Sequence, residues 1–337
     1  GNRTWAQYRQ DLLVSLIEPL MLRPARAVRP DVRLTLKYPQ WYDRFHLFGY
    51  DPPRMSPLFD RIWVGTEVRN SRTPRMGFVQ PFEGYVNFRW LTAIAAEKVA
   101  GAWFDHIECT AHNFIDQAYQ SVLAGARELT LFSLIDVMEG HPGHELWIRA
   151  LPELFALASN VRGRLPRGVA FYKPPNSDAD ENLYLPDYLG MLGLPLVPVA
   201  QYPSEARVLI LGVQAASDPQ LTAKLRRHLD QGATVALTPA ALRRLEPSVA
   251  RLAGVTVSAE PQPDVATGAE VGRRTIGLDP PLEVDLGLEA PLRSTRIRAV
   301  ASGRSVPLLT ERPASHGRLL VWNVRTFNEA DYARTKE

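Results

Sequence analysis

The residues best equipped for chemistry in this chain lie in FDRIWVGTEVR, from Phe59 to Arg69. Ile62, Trp63 and Val64 form a short apolar run with the β-branched and aromatic content of a buried strand, and the run gives way to Gly65, Thr66, Glu67 and Arg69. A carboxylate and a guanidinium therefore stand where a strand runs out. In α/β barrels, loops leaving the C-terminal ends of parallel strands converge on one mouth, and catalytic groups occupy it. The same two residues would serve equally as an ion pair that ties down a loop. Lys37 ends the alternating strand VRLTLKYP, either as a substrate-binding cation or as a charged strand tip. Asp105 and Glu108 are the carboxylates of GAWFDHIEC.

The elements that position these groups follow a regular grammar. Residues 4–28 read as an amphipathic helix or pair of helices, with Thr4 as N-cap and Trp5, Tyr8, Leu12, Leu16 and Leu20 near one face. The loop that follows Lys37 carries Tyr38, Trp41, Tyr42, Phe45, Phe48 and Tyr50, aromatic faces that either stack on sugar rings or pack the loop onto itself. GFVQPFEGY, carrying Glu83, reads as extended, and a helix over 86–99 presents Asn87 and Arg89 in its first turns. Strands at 34–38, 62–65, 102–108 and 129–133 each precede a helix, or a loop and a helix, which is the pattern of a parallel sheet with right-handed crossovers. Four such units make half of an eightfold barrel and cannot close one alone.

Around RGRLPRG, Arg162 to Gly168, the chain changes character, so we expect one domain over 1–163 and a second over 164–337. In the second, VAFYKPPN, ARVLILGVQAA and TVALTP read as strands, Asp218 caps a helix, and GRLLVWNVRTF is a late strand able to rejoin the sheet. This is a Rossmann- or flavodoxin-like α/β layer with a small β-rich tail. It lacks the glycine spacing and phosphate-loop lysine of a nucleotide site.

Composition excludes more than it assigns. The 337 residues carry 39 Lys plus Arg against 36 Asp plus Glu, a formal charge of +3, and the basic residues are scattered, which argues against nucleic acid. The one cysteine, Cys109, rules out an internal disulfide and a cysteine-built zinc site. His141 and His144 in HPGH sit in a Pro-Gly turn with no third ligand in view, so no metal is expected. No apolar run approaches the roughly 20 residues of a membrane span, and no leader opens the chain, so we expect no membrane contact and a cytoplasmic compartment. The opening on Gly1, already helical in pattern, reads as the middle of something longer.

Several segments together resemble a bacterial family of glycoside hydrolases in which a TIM-type barrel is followed by a class I glutamine-amidotransferase-like domain. The resemblance rests on TWAQYR at Thr4 to Arg9, KYPQWY at Lys37 to Tyr42, Gly49 to Asp51, the stretch Phe59 to Arg69, and GAWFD at Gly101 to Asp105. It implies an α/β fold whose first domain is the later part of a barrel, strands five to eight, with the earlier half barrel missing from this sequence. It also implies a carbohydrate substrate and no cofactor, with Glu67 as either a catalytic carboxylate of the kind that flanks a scissile glycosidic bond or a sugar-hydroxyl ligand, and Asp105 as a second catalytic candidate; in many barrel glycosidases one carboxylate follows the fourth strand, which would precede Gly1. Arg69 would hold Glu67 ionised. Lys37, Trp41 and Tyr42 would line the sugar subsites, with Glu83, Asn87 and Arg89 as outer ligands. Glu108 is set aside because its side chain points away from Asp105 or lies beyond the sheet. Where an amidotransferase needs a nucleophilic cysteine, the second domain has Thr238 and Pro239, which implies a structural or homo-oligomerising role. The rival is a non-catalytic carbohydrate-binding or assembly protein.

Overall fold

The computed structural model describes residues 4–68, 70 and 81–325. The chain divides into two compact units, Gly1–Pro166 and Arg167–Glu337.

Unit 1 opens with α1 (Trp5–Ile17), whose Thr4 side chain accepts from Gln7 N while the Gln7 side chain accepts from Thr4 N, a reciprocal cap. One π turn leads into α2 (Arg23–Val28). Contrary to the burial an apolar stripe suggests, Trp5, Tyr8, Leu12, Leu16 and Leu20 are exposed. The helix is docked by buried Ile17 and by polar contacts, Arg9 to Leu47 O and Gln10 to Tyr50 O.

The sheet of unit 1 has four parallel strands in the order β1 (Thr35–Tyr38), β2 (Arg61–Gly65), β3 (Val99–Asp105) and β4 (Glu128–Phe132). Between them lie a short α3 (Pro52–Met55), α4 (Glu83–Ala95) and α5 (Ala111–Leu123); α6 (Leu134–Met138) and α7 (Pro142–Val161) follow β4. The sheet sorts its side chains by the two-residue period of a strand. Ile62 and Val64 on β2 and Ala100, Ala102 and Phe104 on β3 are buried on one face, and Phe104 packs with Phe114, Ala118 and Val122 of α5 and Leu154 of α7. The opposite face carries, in register, Lys37, Trp63, Gly101 and Glu128, then Gly65, Trp103 and Thr130, then Asp105 and Phe132. One face thus serves as core and the other carries the polar and aromatic residues. A Cβ on Gly101 would lie 2.7 Å from Trp63 Nε1, so this glycine is what lets the indole lie flat across the sheet.

Two expectations change here. Glu83 opens α4 rather than lying in an extended piece, and the helix ends at Ala95. The aromatic loop is largely self-packed: Tyr38, Phe45 and Tyr50 pair at centroid distances of 5.4–6.1 Å, and Tyr42 and Phe45 pack on Trp90 of α4.

Unit 2 holds a mixed nine-stranded sheet. Its parallel part comprises β5 (Val169–Tyr172), β6 (Leu196–Val199), β7 (Val208–Leu211) and β8 (Thr234–Leu237), with α8 (Leu185–Met191), α9 (Leu221–Asp230), α10 (Pro239–Arg244) and α11 (Pro247–Ala253). A small β9 (Thr256–Val257) pairs with β12 (Leu288–Glu289). The antiparallel part runs through β10 (Pro263–Val271), β11 (Arg274–Asp285), β13 (Thr295–Ala301) and β14 (Arg304–Ala314). β15 (Gly317–Trp322) joins the two parts, antiparallel to β14 and parallel to β8, as expected of the late strand GRLLVWNVRTF.

Candidate active site

Glu67 follows β2 by two residues, and its side chain folds back over the strand end. Its Oε1 accepts from Lys37 Nζ at 2.5 Å, while Oε2 is buried and makes no hydrogen bond among the described residues. Gly65 makes room for this, since a Cβ there would lie 2.3 Å from Glu67 Oε2. The residue is 5% exposed, and burial raises its pKa; Lys37 opposes that rise and the charge of Asp105 adds to it. The cation on Glu67 is thus Lys37, brought from the neighbouring strand, whereas Arg69 lies outside the described residues.

Asp105 ends β3, also buried, and its Oδ1 accepts from Ile107 N at 3.0 Å, closing the turn that follows. The two carboxylate-bearing loops are held by one side chain that the sequence did not single out. Gln117 of α5 accepts from Val68 N at 3.0 Å and donates to Asp105 O at 2.8 Å. A buried glutamine between apolar helix positions was the available signal.

Trp103 lies on the same face as Asp105 by the alternation of GAWFD. Lys37 Nζ stands 5.2 Å from its ring centre, and the ring stacks on Phe132 at 5.6 Å and 27°. Half-buried Trp103 and exposed Phe132 form an aromatic platform beside the two carboxylates. Deeper on this face, Glu128 accepts from Arg61 and from Trp63 Nε1.

The remaining candidates divide. Trp41 is 38% exposed and pairs with Phe48 at 5.4 Å, so its face is accessible. Tyr42 is 1% exposed beneath Trp90, and a ligand cannot reach it. Glu83 is buried in the first turn of α4, where Gly84 packs against Thr66. Asn87 is a clamp rather than a ligand: fully buried, it donates to Pro39 O and Gly65 O, both at 2.9 Å, and so ties the ends of β1 and β2. Arg89 points to the other end of the sheet, donating to Ala124 O at 3.1 Å just before β4 begins. Its distance from Glu67 follows from the direction of α4, which runs from the mouth back to the strand origins.

Next to Asp105, His106 Nε2 lies 3.1 Å from Asp136 Oδ1, and its ring meets those of His141 and His144 at 5.3 and 5.8 Å. His141 Nδ1 accepts from Gly143 N and caps α7. Among the described residues no group of three such side chains is arranged to hold a metal ion. Cys109 is half-buried, with Sγ 3.4 Å from Val68 O.

In unit 2 Thr238 sits in a closed polar knot. Thr238 Oγ1 donates to Asn182 Oδ1 at 2.7 Å and accepts from Ala241 N, capping α10. Asn182 Oδ1 also accepts from Val213 N at 2.9 Å, and its Nδ2 donates to Arg325 O at 3.0 Å. Gln214 donates to Asn182 O. A group this fully hydrogen-bonded is structural.

Residues 1–150 match the family described as "Probable glycosyl hydrolase, catalytic domain", and residues 166–260 match "Uncharacterized protein SSO3021, second domain". The uncharacterized protein SSO3021 of Saccharolobus solfataricus is 24% identical over 214 residues, which is 58% of this chain and 33% of that protein. Among solved structures, the fold is similar to that of Gan42B, a GH42 β-galactosidase of G. stearothermophilus, with a TM-score of 0.58 at 12% identity over 100% of this chain and 58% of that one. It is similar as well to a β-galactosidase from Bacillus circulans sp. alkalophilus, with a TM-score of 0.61 at 13% identity, covering 98% of this chain and 56% of that one. The chain thus spans a third to somewhat over half the length of these proteins. At such identities the likeness is one of fold: an α/β barrel-type sheet followed by a second unit with a β-rich part.

No helix among the described residues is long and apolar enough to cross a membrane.

Proposed function

We propose that this chain is part of a glycoside hydrolase whose chemistry is done at the strand ends of unit 1 by Glu67 and Asp105. One observation carries the reading: two buried carboxylates from neighbouring strands share an electrostatic environment in which burial and Asp105 both raise the pKa of Glu67. Glycoside hydrolysis needs such a pair, one carboxyl to give a proton to the leaving oxygen and one carboxylate to attack the anomeric carbon or to activate water. A raised pKa lets a carboxyl hold a proton closer to neutral pH, and Lys37 tempers that rise. Trp103 and Phe132, with Trp41 at the rim, offer aromatic faces to the CH-rich side of a sugar ring.

The substrate is a carbohydrate, and the β-galactosidase activity named for the fold relatives makes aryl galactosides the first probes. We read the unit 1 sheet as strands five to eight of a TIM-type barrel. Its edge strands, β1 and β4, support this, because closure requires partners on both. We read unit 2 as the amidotransferase-like domain of a bacterial hydrolase family, with a structural or homo-oligomerising role; the occupied knot at Thr238 supports that assignment.

The test is a panel of p-nitrophenyl glycosides, galactoside first, assayed with the native protein and with Glu67→Gln. Turnover in the native protein that is lost in a variant with unchanged unfolding supports the reading. Equal turnover in the variant removes Glu67 from the chemistry, and sugar binding without turnover in either protein puts the carbohydrate-binding rival first.

A further inference from the structure

Arg89 has a second setting, independent of the glycosidase reading. Its guanidinium lies at the end of the sheet where β3 and β4 begin, against the last carbonyls of α5. There it lines a cavity of about 430 Å³ together with Arg127, Arg162, Arg164, Ser159 and Phe155. Among the described residues, no Asp or Glu lines this cavity. Arg89 Nε is buried without a hydrogen-bond partner among the described residues, and burial pushes the pKa of this guanidinium below its ordinary value.

Four arginines line this one cavity, so their charges repel one another, and a buried cation without a counter-charge is costly. Helix C-termini offset part of this. Arg89 binds Ala124 O at the end of α5, and Arg162 is the residue that ends α7. Arg127 is likewise held on carbonyls, at Glu97 O and Val99 O. These contacts fix Arg89 and Arg127 but leave the summed charge without a counter-ion, while Arg162 and Arg164 are exposed at the lip. Guanidinium forks match the oxygens of a tetrahedral oxyanion two at a time. The cavity is far larger than a bare phosphate and falls in the range of small-molecule sites, roughly 300–1,000 Å³. Exposed Phe155 would offer an apolar surface to whatever the phosphate carries.

We propose that the arginine-lined cavity between the C-terminal ends of α5 and α7 binds a phosphate group, free or carried on a small ester. Isothermal titration of the purified protein in about 0.15 M KCl, where surface charges are largely screened, with inorganic phosphate, glucose 6-phosphate and glucose, tests this. We expect saturable binding of phosphate and none of glucose. The ester binding more tightly than phosphate would identify a phosphoester as the ligand, and equal affinities would identify phosphate itself. The double variant Arg162→Gln, Arg164→Gln alters only exposed side chains and should weaken binding about tenfold or more. Absence of saturable binding, or binding undiminished in a double variant that unfolds like the native protein, overturns the proposal and leaves the arginines as helix caps.

Discussion

Replacing Gly65 by alanine tests the candidate site without altering any reacting group. Gly65 is a strand residue outside the left-handed region, so the added methyl raises a question of space alone. Its Cβ would lie 2.3 Å from Glu67 Oε2 and 3.1 Å from both Gln40 N and Pro39 C. Real Cβ contacts stay beyond 3.0 Å, so the carboxylate must retreat by the difference, about 0.7 Å at least, while the Pro39–Gln40 peptide yields by a few tenths of an ångström. Overpacking of that kind costs about 1–3 kcal/mol, against a total stability of roughly 5–15 kcal/mol. Misplacing a catalytic group by about 1 Å costs on the order of 10²-fold in rate. We therefore expect Gly65→Ala to remain folded and to lose about two orders of magnitude in kcat on an aryl glycoside. A ¹³C titration of the Glu67 carboxyl gives a readout that needs no substrate. The pKa should leave its native value, because a displaced carboxyl changes both its burial, the largest cause of its rise, and the Lys37 contact that opposes it. A folded Gly65→Ala protein with native kcat and a native Glu67 titration would refute the assignment of Glu67's position.

Further predictions concern charge and anchoring. The folded pKa of Glu67 lies above its ordinary 4.5, so between 4.5 and the raised value the folded protein binds more protons than the unfolded chain and stability falls as pH rises; Glu67→Gln should flatten that slope in urea titrations across this window. Lys37→Met removes the one group, among the described residues, that draws Glu67's pKa down through space, and should move upward the alkaline limb of the rate profile set by loss of the donor's proton, with partial recovery in Lys37→Arg. Asn87→Ala leaves Pro39 O and Gly65 O without their donor and should cost about 1–3 kcal/mol by chemical denaturation. Burial, with the neighbouring histidines, lowers the pKa values of His141 and His144 below 6.5, so stability should fall as pH drops below 6.5 toward the lowered values, and His144→Leu should reduce that loss.

Much of unit 1 was legible because its strands obey a two-residue period and its helices are capped by ordinary means. Ile62 and Val64 had to face a core, which put Trp63 on the other side and Glu67 beyond the strand end. The partner of Glu67 was not legible. Lys37 is 30 residues away in sequence, and only the parallel register of β1 on β2, Lys37 beside Trp63, brings it to the carboxylate. Proximity in the chain favoured Arg69 instead. Spacing alone groups Asn87 and Arg89 as outer ligands, but α4 begins at Glu83, and its axis carries Arg89 away from the mouth while turning Asn87 inward between two strand ends. Tyr42 was misread for another reason: six aromatics in one loop can satisfy each other, and Trp90, distant in sequence, completes their cluster.

The polar face of the unit 1 sheet has its own arithmetic of charge. An α/β barrel usually fills its interior with Val, Ile and Leu; here the corresponding positions hold Arg61, Glu128, Lys37, Trp63 and Trp103. Arg61 and Glu128 pair with each other and cancel. That leaves Lys37, among the described residues, as the cation bonded to Glu67, while Asp105 pushes in the opposite sense. The ammonium is over a third exposed and so partly screened, which weakens its hold on a carboxylate that is itself buried. Burial therefore prevails in the balance on Glu67, and its charged form is disfavoured although a cation stands 2.5 Å away. A site meant only to fasten a loop would gain from a better-buried cation, which would keep Glu67 ionised. Partial exposure of Lys37 fits the proposed hydrolytic role, in which Glu67 would take up and release a proton.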